Sequence, residues 1–93
     1  MIQVRWSPTA ESEFNDQIDY IAEQNLSAAF RIRDVVYRHT EMLEETPEMG
    51  RPGRRQNTRE LVISGTPYVA VYRLRVGYVE IIRFLHGAQR YPK

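Results

Sequence analysis

Residues Thr58 to Tyr91 read TRELVISGTPYVAVYRLRVGYVEIIRFLHGAQRY, and the reading of this stretch decides the fold. It holds three apolar runs rich in Val, Ile, Tyr and Leu. Ser64-Gly65-Thr66-Pro67 divides the first run from the second, and Arg75-Val76-Gly77 divides the second from the third. β-branched and aromatic enrichment between Gly and Pro punctuation predicts consecutive strands joined by hairpins. Strand alternation places Val69, Val71 and Arg73 on one side, with Tyr68, Ala70, Tyr72 and Leu74 on the other. In the last strand Val79, Ile81, Arg83 and Leu85 oppose Tyr78, Glu80, Ile82, Phe84 and His86. Regular geometry therefore sends Arg83 and His86 to opposite faces. One shared site for them requires the strand to end or bulge near Leu85-His86, which the following Gly87 permits.

Upstream, Pro47 to Asn57 (PEMGRPGRRQN) reads as a basic surface loop, with Gly50 and Gly53 allowing tight turns and Pro52 adding stiffness. It is no Walker-type phosphate loop, since it has no Lys-Ser/Thr ending and no strand before it. Phe30, Ile32, Val35, Val36, His39, Met42 and Leu43 recur at helical spacing and outline a helix to about Glu45, stopped by Pro47. Phe14, Ile18, Ile21 and Ala22 outline an earlier one from Pro8 to Gln24, with Ser7 as cap, Pro8 in the first turn and Glu11 and Glu13 near the positive end of the helix dipole. Between them Asn25 is expected in the left-handed conformation and Ser27 as the next cap, giving an antiparallel helical hairpin. Ile2, Val4 and Trp6 alternate with Gln3 and Arg5 as a half-buried strand. The order is strand, helix, helix, strand, strand, strand. It predicts one α+β domain over residues 1–93, with the helical hairpin on one face of an antiparallel sheet.

The chain has 93 residues, enough for a single core, with 42% hydrophobic and 27% charged residues. It lacks cysteine, which excludes disulfides and thiolate metal sites. Its two histidines have no acid at ligand spacing, so neither a metal nor another cofactor is expected. No signal peptide or membrane span is seen, and a cytoplasmic protein with no membrane partner is expected. The net charge of +1 conceals an asymmetry: residues 1–50 carry ten acids against four arginines, and residues 51–93 carry nine bases against Glu60 and Glu80. Such a basic half predicts a polyanionic partner, nucleic acid or an acidic protein segment.

RNA cleavage by 2′-hydroxyl attack needs a proton acceptor, a cation for the developing phosphorane charge and an acid for the leaving oxygen. His86, Arg83, Arg59 and Arg90 are the candidate catalytic set, with Tyr91 stacking on a base or relaying a proton. Arg51, Arg54, Arg55 and Arg73 are the candidate nucleic-acid contacts. Arg59 and Glu60 also read as a cross-strand ion pair, and Tyr68, Tyr72 and Tyr78 as sheet packing.

The succession WSPTAESEF, DYIAEQNLSAAFRI, TPEMGRPGRRQNTRELVISGTPYVAVYRL and VEIIRFLHGAQRYP resembles toxins of the RelE/ParE superfamily, from type II toxin–antitoxin modules. The likeness covers nearly the whole chain and is carried by Gly50-Arg51-Pro52-Gly53-Arg54, Thr58 to Val62 and Arg83-Phe84-Leu85-His86. It implies a toxin silenced by an antitoxin whose acidic, partly helical segment wraps the toxin. It also implies one of two activities: cleavage of mRNA on the ribosome, as in RelE-like members, or poisoning of DNA gyrase, as in ParE-like members that need no nuclease residues. His86, Arg90 and Tyr91 tip the expectation toward the ribosome-dependent nuclease.

Overall fold

Strand β1 (Gln3–Trp6) leads directly into helix α1 (Pro8–Gln24), and Ser7 makes the junction. Its Oγ accepts from the Ala10 N–H at 3.1 Å, satisfying a donor that the helix itself leaves open, while Pro8 supplies a ready-made helical φ. Helix α2 (Leu26–Glu41) follows after one residue. Asn25, not Ser27, is its cap: the side chain accepts from the Ala28 N–H at 3.0 Å, and the backbone is extended (φ −161°), not left-handed. A connection this short leaves no room for a separate terminator and cap. A 3-10 turn (Met42–Glu44) extends α2, and then come β2 (Arg51–Pro52), β3 (Arg59–Val62), β4 (Tyr68–Arg75) and β5 (Tyr78–His86). The computed structural model describes residues 1–87; Arg90 and Tyr91 lie outside them.

The sheet order is β1-β5-β4-β3-β2, and the sheet is mixed. β1 runs parallel to β5, pairing Gln3 with Tyr78 and Trp6 with Ile81, while the other pairs are antiparallel. The first strand docks beside the last because the helical hairpin carries the chain back over one face, as a parallel crossover must. The β3–β4 and β4–β5 turns each place a glycine at positive φ, Gly65 at 82° and Gly77 at 85°. β2 lies within the basic loop and pairs Arg51 with Glu60.

Both helices cover one face. Phe14, Val36 and Leu43 pack on Leu61, Ala70, Tyr72, Ile81 and Phe84, and Trp6 stacks near Phe14 and Phe84. Each large side chain fully buried here stabilises by about 1.5–3 kcal/mol before entropy is counted. Alternation along β4 is as the sequence implies, with Tyr68, Ala70 and Tyr72 inward and Val71 outward. β5 departs from it: the register passes from Tyr72↔Ile81 to Val71↔Arg83, leaving Ile82 as an extra residue. This bulge puts Ile81 and Phe84 on the same face. It lies upstream of Arg83, so it does not alter how Arg83 and His86 relate.

The loop after the 3-10 turn is pinned to the sheet. Buried Tyr72 donates its hydroxyl to the Pro47 carbonyl at 2.8 Å and accepts from the Gly50 N–H at 2.9 Å. A Cβ on Gly50 would lie 2.7 Å from the Tyr72 ring and hydroxyl, so that close approach requires glycine.

Candidate functional site

The face away from the helices carries the apolar pair Val71 and Leu85, 1% and 5% exposed, with Ile82 packed against them. On the β2 side this strip is bounded by Arg51, Arg54 and Glu60, and at the strand ends by His86 and Gly87. The enclosed space is about 20 Å³, room for a water and not for a base.

His86 is the last residue of β5, opposite Tyr68, and its ring meets the Tyr68 ring edge-on at 5.9 Å. Gly87 then hydrogen-bonds the Pro67 carbonyl, closing the strand end over the β3–β4 turn. Tyr68 is committed inward: its hydroxyl donates to Gln17 at 3.2 Å, and burial raises its pKa. Tyr72 is raised too, with burial outweighing the Gly50 hydrogen bond and the Arg59 charge. Neither phenol is poised to lose a proton near neutral pH.

The arginines are distributed, and each of six meets a carboxylate. Glu60, only 5% exposed, receives Arg51 Nη2 at 3.0 Å, the Arg54 N–H at 3.1 Å and Arg54 Nε at 3.9 Å. Arg59 points to the helix side of the sheet, donating to the Glu48 and Gly50 carbonyls at 3.1 and 2.8 Å and lying 3.7 Å from the Glu48 carboxylate. It therefore pairs with neither Glu60 nor the strip that holds His86. Arg73 and Arg75 share Glu80 at 2.9 and 3.3 Å; the Arg73 hydrogen bond, foremost among several causes, holds that carboxyl below its usual pKa. Arg73 sits five residues along β4 from the partner of His86, roughly 17 Å at about 3.4 Å per residue. Arg55 lies in the loop, its carbonyl accepting from Thr58.

Arg83 is held at the edge of β5. β1 ends opposite Ile81, so among the described residues the rest of β5 has no strand beside it on that side. Side chains take the strand's place. The Ser7 N–H and hydroxyl bond the Ile81 and Ile82 carbonyls at 2.9 and 3.2 Å. Glu13, one and a half turns into α1, accepts the Phe84 N–H at 2.9 Å and takes Arg83 Nε and Nη2 at 3.0 and 2.7 Å. The carboxylate thus both closes a backbone donor and fixes a guanidinium in a forked pair.

Of the candidate residues, Arg51 and Arg54 flank the strip and His86 closes its end with its ring against inward-facing Tyr68. Arg83 lies opposite Val71 with its guanidinium held on Glu13, and Arg59 and Arg73 lie away from the strip. Sequence reasoning named Glu60 but paired it with Arg59 in place of Arg51 and Arg54, and it missed Glu13, Glu48 and Glu80 as partners. Glu80 was findable: a two-residue turn at Val76-Gly77 sets Arg73 opposite Glu80. Glu13 gave no local signal, since its partner is seventy residues away. His39 is half-buried with Nδ1 2.9 Å from the Val35 carbonyl, and among the described residues no cluster of His, Asp or Glu could hold a metal. Among those residues no helix is long and apolar enough to cross a membrane.

A solved structure described as the chromosomal ParDE TA system from P. aeruginosa has the same fold, with a TM-score of 0.83 at 18% identity, covering 92% of this chain and 96% of that one. A putative toxin, Y4kP, of Sinorhizobium fredii is 34% identical over 91 residues, 98% of this chain and 94% of that protein. Toxin RelE2 of Caulobacter vibrioides is 35% identical over 89 residues, 96% and 99% of the two chains. The family model of the ParE toxin of the type II toxin–antitoxin system parDE matches residues 4–91. On that match, and on the full-length likeness to two toxins, the chain belongs to the ParE toxin family, within the RelE/ParE superfamily, and is a toxin of a type II toxin–antitoxin system.

Proposed function

We propose that this toxin arrests growth by binding a protein target, with DNA gyrase as the first candidate, and that a cognate antitoxin silences it. The observation that carries the reading is the pairing of the arginines. Arg83 is forked onto Glu13, Arg59 anchors a loop on the opposite face, and Arg73 shares Glu80 far from His86. A phosphorane needs cations preorganised around one point, and these are paired with carboxylates at separate places on the sheet. A binding surface needs only fixed shape and charge, which such pairs supply.

The ribosome-dependent nuclease is the second reading, favoured by one feature: His86 shares its strip with Arg51 and Arg54. Arg90 and Tyr91, named with it in the sequence, lie outside the described residues. Pulse labelling after induction of the toxin alone separates the two. Early loss of DNA synthesis, with blocked supercoiling by purified gyrase and a tolerated His86→Ala, is the expected result. Immediate loss of protein synthesis with new mRNA ends, abolished by His86→Ala, would overturn it in favour of the nuclease.

A further inference from the structure

A hollow of about 410 Å³ opens where α2 passes into the 3-10 turn, away from the strip that holds His86. The hollow is broad and open to solvent, a seat for a side chain of a partner and not an enclosed cavity. Its apolar lining is Met42 and Met49, 44% and 41% exposed, and the only other methionine is residue 1. Exposed methionine is an adaptable contact, unbranched and polarisable, suited to seating an aliphatic group.

The rim is negative. Glu41, Glu44 and Glu45 line it, with Arg38 the cation among the lining residues. Unlike the sheet arginines, these three glutamates make no ion pair among the described residues. Arg38 lies in the last turn of α2, where the helix dipole already favours a cation. The wall is also preformed. Leu43 is fully buried, the Thr46 N–H bonds the Met42 carbonyl at 3.0 Å, and Tyr72 and Arg59 hold the next turn. A partner therefore does not have to order this segment on binding.

We propose that this hollow docks a basic segment of a protein partner, one aliphatic side chain seated between Met42 and Met49 and flanking Lys or Arg residues on the glutamates. An acidic antitoxin segment has the wrong sign for it, so the site is separate from the basic surface such a segment would cover.

The test uses the full chain carrying ¹³C-methyl methionine, in which Met1 serves as the internal control. The probe is a Lys-Lys-Leu-Lys-Lys peptide, with Glu-Glu-Leu-Glu-Glu as its charge-reversed counterpart. The basic peptide should shift the Met42 and Met49 methyl signals in a saturable way and leave Met1 unmoved; the acidic one should shift none. Replacing the exposed Glu41 and Glu45 by lysine should weaken binding about tenfold or more, and the neutral pair Glu41→Gln with Glu45→Gln should weaken it less. Overturning results are no saturable shift, equal movement of Met1, equal response to both peptides, or unchanged affinity in both double variants.

Discussion

The helical hairpin and the sheet carry opposite charge, and they also treat their charge in opposite ways. Glu11, Asp16, Asp19, Glu23 and Asp34 on the helices form no ion pair among the described residues, whereas six arginines of the sheet half meet carboxylates. Two of those acids, Glu13 and Glu48, come from the acidic half. A basic sequence is therefore not the same thing as a basic surface. What a partner meets is the charge left after internal pairing, and that is weaker on the sheet and nearly intact on the hairpin.

The join between the halves should fail hardest. Phe14→Ala removes the ring that packs on Trp6, Tyr37 and Phe84, and should cost about 3–5 kcal/mol in chemical unfolding. Next comes the borrowed acid. Glu13→Ala removes the acceptor of the Phe84 N–H and the carboxylate of the forked pair with Arg83 and should cost about 1–3 kcal/mol, with Glu13→Gln recovering part by bonding the N–H. If Glu13→Gln keeps the full stability of the parent chain, the ion pair adds nothing and the contrast between the halves loses its best case.

Tyr72→Phe should cost about 1–2 kcal/mol, since the Pro47 carbonyl and the Gly50 N–H both lose their partner. Glu80 gives the pH test. Its folded pKa is depressed, so its contribution is present above the unfolded value and lost as pH falls through the folded one. Glu80→Gln should cost at most about 1 kcal/mol at neutral pH, a deficit that vanishes in acid. On the hairpin, Asp16→Asn or Asp19→Asn should change stability by less than about 0.5 kcal/mol. A larger loss in either would reveal helix acids doing more than their lack of partners implies.

Local rules made much of the architecture legible. Ser7-Pro8 marks a helix start, the alternation of Tyr68 to Leu74 sorts core from outer face, and Gly65 and Gly77 mark the hairpins. What escaped depends on residues far apart. Nothing in Gln3 to Trp6 says that its neighbour is β5 and parallel, and nothing near Ile82 announces the bulge. Asn25 was recognised as a boundary but given the wrong backbone, because the same residue both ends α1 and caps α2. The site was less readable than the fold for the same reason. Arginines can be counted in a sequence, but Glu13 and Glu48 are assigned to them only by the topology.

The pairing of β1 with β5 also has a consequence in time. During synthesis β1 emerges first, yet the strand it pairs with begins at Tyr78. Until then the helical hairpin can form locally, but β1 has no neighbour and the core lacks Val79, Ile81 and Phe84. Closing that distant contact is the slow, entropically expensive step of folding. The sheet is thus closed only after Tyr78 to Ile81 have been made, and the five-stranded surface cannot be complete before that point.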